Sequence, residues 1–96
     1  MTDDHQDGLR LDKWLFFSLL CKSRGIAAER IEAGGIRING QPSCKPGKLV
    51  RVGDELVISA YGLVRAVRIL DLGTRRGPAT EAQLLYLDLT EDQDTA

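Results

Sequence analysis

Metal centres and catalytic sites draw mainly on histidine and cysteine, and this chain has little of either. Its 96 residues include one histidine, His5, and two cysteines, Cys21 and Cys44, with no Cys-x-x-Cys pair. A structural zinc site and a histidine-assisted nucleophile both need more ligands or bases than that, so we expect no metal, no cofactor and no catalytic centre. Long apolar runs are missing too. The greasiest stretch, residues 14–21, is interrupted by Ser18 and falls well short of the roughly 20 apolar residues of a membrane helix. The first ten residues, MTDDHQDGLR, are acidic and polar, without the cation-then-apolar order of a secretory signal. Two cysteines without such a signal fit free thiols in a reducing compartment, so a cytoplasmic protein with no membrane contact is expected. There is no internal repeat and no low-complexity linker.

What is present is charge, unevenly spread. The formal net charge is only -1, from 13 Lys and Arg against 14 Asp and Glu. All 13 cations lie between Arg10 and Arg76, among just six acids, so this middle region carries about +7 while the two ends cancel it with eight acids. Such asymmetry points to a polyanionic partner, although a solvated surface with acidic tails would produce the same composition.

Hydrophobic spacing supplies the elements. Leu11, Trp14, Leu15, Ser18 and Leu19 recur at the interval of one helix face, and Asp12 falls in the first turn, at the positive end of the dipole. On another stripe Arg10, Lys13 and Phe17 align, which predicts two cations and a ring on an exposed strip. Ser23 is a good N-cap for a second helix over 24–33, stopped by Gly34-Gly35, with Ala27 and Ile31 facing the core. From Ile36 the period becomes extended. Ile36 and Ile38 alternate around Arg37 before the turn dipeptide Asn39-Gly40, and strands are expected over 48–52, 55–59 and 63–72. Pro78 can open a short helix through Ala82 and Leu85 to Tyr86. The fold class expected is α+β: a two-helix hairpin packed on a small, curled, mostly antiparallel sheet, with a short C-terminal helix. Trp14 belongs to packing rather than to base stacking, because rings at helical spacing beside leucines are usually core.

The ordered strings Arg10-Leu11-Asp12-Lys13-Trp14-Leu15, Lys22-Ser23-Arg24, IRING over 36–40 and Val52-Gly53-Asp54 together resemble the RNA-binding domain named after small-subunit ribosomal protein S-four. The likeness covers about residues 9–59. Within that superfamily, RLDKWL and RRGPATEAQLLY over 75–86 look like the family of ribosome-associated fifteen-kilodalton heat-shock proteins. The resemblance implies the motif called alpha-L, in which two helices beside a β-hairpin hold structured RNA. It implies RNA-binding roles for Arg10, Lys13, Lys22, Ser23 and Arg24 on the helices, facing Arg37, Lys45 and Lys48 from the hairpin region across a basic groove. Phosphate neutralisation with counterion release would drive binding without reading sequence.

Residues 1–8 are then a flexible acidic N-terminus, 9–72 the RNA-binding domain and 73–96 a loop, short helix and acidic tail. The partner implied is large-subunit ribosomal RNA or a ribosomal subunit bearing tRNA, in ribosome rescue or stress response, bound by a monomer. The chain departs from the family at Ala28 and Gly35, where relatives place cations, and in its acidic C-terminal end. Enzymes carrying this domain need a second, larger domain, for which 96 residues leave no room. The competing reading is a protein-interaction adaptor without nucleic acid. A helix-turn-helix DNA binder is weaker, because its recognition helix would offer little beyond Arg24 and Arg30 to read base edges.

Overall fold

The computed structural model describes residues 8–60 and 62–89. The chain begins with a short strand, β1 (Gly8–Arg10), and turns directly into helix α1 (Leu11–Phe17). Helix α2 (Arg24–Glu32) follows, then strands β2 (Ile36–Ile38), β3 (Gln41–Pro42), β4 (Leu49–Arg51), β5 (Glu55–Ala60) and β6 (Leu63–Ile69). A one-turn helix, α3 (Ala79–Ala82), runs through a 3-10 turn into the last strand, β7 (Tyr86–Asp88). Five strands form an antiparallel sheet in the order β3-β2-β5-β6-β7, while β1 and β4 pair as a separate antiparallel ribbon. This is the α+β architecture expected, with the helical hairpin on one face of the main sheet.

The first helix has no side-chain N-cap. Its orphan donors are met by backbone instead: the Leu11 N–H donates to the Lys48 carbonyl at 2.8 Å and the Asp12 N–H to the Pro46 carbonyl at 3.1 Å. The loop carrying Lys45 and Lys48 is thereby stitched to the start of α1. At the other end the helix stops two residues before Leu19, which sits at φ 64, so the chain reverses there and Leu19 is only half-buried. Phe17 turns inward to the core and Phe16 is the half-buried ring, which corrects the exposed aromatic strip expected from spacing. Ser18 is buried, its hydroxyl donating to the Leu15 carbonyl at 3.2 Å.

The core joins Leu11, Trp14 and Leu15 of α1 to Ala27 and Ile31 of α2, over Ile36, Leu56, Val67 and Ile69 of the sheet. The Trp14 indole N–H donates to the Asp71 carbonyl at 3.0 Å and the Tyr86 ring meets Trp14 edge-on, so this side chain is packing, as expected. In the β2–β3 hairpin Asn39 and Gly40 both adopt positive φ, the geometry that a two-residue primed turn demands. Strand β6 ends at Ile69 rather than at residue 72, because Leu70 and Asp71 donate their N–H groups to the Leu85 carbonyl. Three strands were not anticipated, β1, β3 and β7, each only two or three residues long, and β1 includes Gly8, expected in the flexible N-terminus. The acidic ends over 1–7 and 90–96 lie outside the described residues.

Gly35 has a structural reason. Its carbonyl accepts the Ser59 N–H at 2.8 Å, and a Cβ on Gly35 would stand 2.8 Å from the Ser59 carbonyl oxygen, a backbone atom that cannot swing away. The chain therefore joins α2 to β5 at a spacing that excludes a side chain. Gly35→Ala is expected to destabilise by about 1–3 kcal/mol, lowering the melting temperature by at least roughly 5 °C. Gly25→Ala, with no heavy atom nearer than 3.8 Å, should melt no lower than the parent. Equal melts for the two variants in thermal denaturation would contradict the close-approach explanation.

Candidate nucleic-acid interface

Asp12 organises the cationic end of the helical hairpin. Its side chain is only 6% exposed, yet it lies between two arginines that reach solvent. Arg10, the last residue of β1, donates from Nε to Oδ1 and from Nη2 to Oδ2, both at 3.1 Å. Arg24, the first residue of α2, brings its Nη2 to 3.6 Å from the same Oδ2. The fork-to-fork geometry with Arg10 fixes one guanidinium, and the ion pair with Arg24 ties the two helices at their shared end. Burial pushes the Asp12 carboxyl up, but hydrogen bonding and charge from Arg10, the charge of Arg24 and the Lys13 amide pull it down, leaving it below the usual carboxylate range. The same contacts raise Arg10 above its ordinary value.

Around this centre the expected residues take different places. The Arg10 guanidinium packs over Gly47, within 3.6 Å of where a side chain there would begin, so it touches the loop between Lys45 and Lys48. Lys48 donates its N–H to the Lys45 carbonyl at 3.0 Å, closing that loop into a turn. Lys45 and Lys48 then border a concavity of about 620 Å³ beside Cys44, Arg51 and Asp54. Lys13, next to Asp12, places its ammonium 6.0 Å over the Phe17 ring. The Ser23 hydroxyl accepts the Ile26 N–H at 3.1 Å and so caps α2. Lys22 faces another groove, with Arg30 and Arg65. Arg37 is exposed between buried Ile36 and Ile38, and strand alternation turns it to the sheet face opposite the helices.

The loop over 75–77 is held within the fold. Arg75 pairs with Glu81 through Nη2, at 2.9 and 3.0 Å, and Arg76 lies 4.7 Å over the Phe16 ring while donating to the Phe16 carbonyl. Spacing alone indicated Asp12 only as a dipole partner. Its bridging role depends on where α2 begins in space, and the sole hint in the string is an acid set between cations in RLDK.

The family model of the S4 domain matches residues 9–56. Heat shock protein 15 of Escherichia coli strain K12 is 40% identical over 83 residues, covering 86% of this chain and 62% of that protein. The chain thus spans about three fifths of the length of that relative. The RQC P-site tRNA stabilizing factor of Listeria innocua is 39% identical over 87 residues, covering 88% of this chain and 90% of its own length. Among solved structures, the trimeric structure of Vibrio cholerae heat shock protein 15 superposes with a TM-score of 0.82 at 31% identity, covering 92% of this chain and 88% of that one.

A carboxylate held below its ordinary value stabilises the fold above that value, near 3.8, and ceases to as pH falls through the lowered one. Asp12→Asn is expected to cost about 1–2 kcal/mol at neutral pH. It should also flatten the acid limb of stability against pH below about 4. Urea melts from pH 7 down to pH 2 on both proteins provide the check, and parallel acid limbs would contradict the assignment.

Proposed function

The chain belongs to the S4 domain family of RNA-binding folds, and from that premise we propose that it grips structured RNA through the cationic surface built around Asp12. The observation that carries this reading is the sharing of one buried carboxylate by Arg10 and Arg24, beside the loop in which Lys45 and Lys48 stand. One negative charge cannot neutralise two guanidiniums, so the cluster keeps a net positive charge with its donors fixed in space. Fixed cations on a rigid helix edge suit phosphates of a folded RNA better than a flexible single strand. Lys13 adds charge beside Asp12 and Ser23 stands next to Arg24, while Lys22 faces the groove with Arg30 and Arg65 and Arg37 faces the other side of the sheet, so these two lie apart from the centre.

The named relatives support the choice of partner: a heat shock protein and a factor that stabilises P-site tRNA. On this reading the target is large-subunit ribosomal RNA, or a ribosomal subunit bearing tRNA, and the setting is ribosome rescue or stress response in the cytoplasm. Among the described residues no group of His, Cys, Asp and Glu could hold a metal ion and no helix is long and apolar enough to cross a membrane. On this reading the protein acts by binding RNA.

Cosedimentation with purified large ribosomal subunits across a salt series tests the proposal. Arg24→Glu should weaken binding several-fold or more and lower the slope of log affinity against log salt by roughly one, with an unchanged fold by circular dichroism. Retention that ignores salt, or is untouched by Arg24→Glu, would favour the protein-interaction adaptor instead.

A further inference from the structure

A second groove, of about 470 Å³, is lined by the connection between α1 and α2, one side of α2 and strands β5 and β6. Aliphatic side chains line its floor: Leu20 before α2, Ile26 on α2, Ile58 on β5 and Leu63 on β6. Three cations rim it, Lys22, Arg30 and Arg65, and no carboxylate is among its described lining residues. The Arg65 guanidinium is steadied from behind by the Tyr86 hydroxyl and the Asp88 carboxylate, both at 3.3 Å, with 47% of the side chain still open to solvent. Leu63 is 73% exposed although it stands on the sheet face that carries the core. Beneath them the Cys21 thiol is held above its ordinary value by burial, against the charge of Arg30, and so stays protonated.

A greasy floor with cations on its rim fits an anion that also carries a flat, weakly polar body. Continuity with the proposed RNA surface selects the kind. Lys22 lines this groove, and two residues later Arg24 pairs with Asp12. Arg30 is six residues along α2 from Arg24, which at helical geometry sets it about 9 Å further on and about 120° around the axis. Arg30 therefore faces away from a duplex edge lying on Arg24, toward the side that a strand leaving the duplex past Lys22 would follow.

We propose that this groove receives an unpaired nucleotide of the bound RNA, with its base on Leu20, Ile26, Ile58 and Leu63 and its phosphates between Lys22, Arg30 and Arg65. The inference rests on the RNA reading of the Asp12 surface and adds a second, single-strand contact to it. Because the described floor is aliphatic, with no polar side chain among Leu20, Ile26, Ile58 and Leu63, the groove takes any base with little preference.

The test uses fluorescence anisotropy with an RNA hairpin ending in a blunt stem and the same hairpin carrying three unpaired nucleotides at either end. The parent protein should bind one of the extended RNAs at least about 10-fold more tightly than the blunt one. Leu63→Glu puts a carboxylate in the groove at an exposed position. It should abolish that advantage while leaving affinity for the blunt hairpin within about twofold, and Leu63→Ala should lose part of it. Arg24→Glu should weaken both RNAs. No advantage for either extension in the parent protein, or an advantage that survives Leu63→Glu, would overturn the groove assignment alone so long as Arg24→Glu still weakens the blunt hairpin. Failure of the parent protein to bind any of the RNAs would overturn both surfaces. Binding of a leucine-rich acidic peptide that Leu63→Glu abolishes, without any RNA advantage, would assign the groove to protein.

Discussion

A single carboxylate holds the cationic end of the molecule together. Asp12 receives both forks of Arg10 and stands 3.6 Å from Arg24, so residues from β1, α1 and α2 meet on one pair of oxygens. Nearby, the first two N–H groups of α1 donate to carbonyls of the loop that bears Lys45 and Lys48. Backbone bonds therefore place the loop, and side-chain charge places the arginines. Without Asp12 the two guanidiniums would repel across the gap they now share; with it they are aligned and remain in excess by one charge. That combination of rigidity and surplus charge is what a phosphate surface requires, since cations already ordered lose less freedom on binding.

The same hairpin serves two faces because its helices are short. The second helix, nine residues long, presents Arg24 to Asp12 at its start and Arg30 to the apolar groove near its end. Its other side buries Ala27 and Ile31, and the tight approach of Gly35 to Ser59 fixes where the chain enters the sheet. A cation at Gly35 would force that contact apart, so its absence reflects packing and need not imply a weaker nucleic-acid surface. The net charge of the whole chain conceals all this, because it averages the basic middle with acidic ends.

Much of this was legible in the string, for definite reasons. Leu11, Trp14 and Leu15, and later Ala27 and Ile31, repeat at helical spacing and are buried; Ile36 and Ile38 alternate and are buried; Asn39-Gly40 turns as its positive φ values require. The misreadings fall where periodicity carries no information. Residues 16 and 17 are both phenylalanine at a helix end, and which one turns inward depends on the reversal at Leu19. Strands of two or three residues, β1, β3 and β7, are too short for a period of two to register. The bridging role of Asp12 requires knowing that α2 starts beside it, which is tertiary information. Lys22 and Arg37 looked equivalent to Arg10 and Arg24 as cations, but strand alternation and the path of the loop send them to other faces.

On the proposed function Asp12 and Arg24 act on RNA as one unit. A double-mutant cycle on large-subunit binding, comparing Asp12→Asn, Arg24→Gln and the double variant at one salt concentration, tests it most directly. Coupling predicts that Asp12→Asn costs clearly less in the Arg24→Gln background than in the parent, because only its hold on Arg10 is then left to lose. Losses that simply add would contradict it.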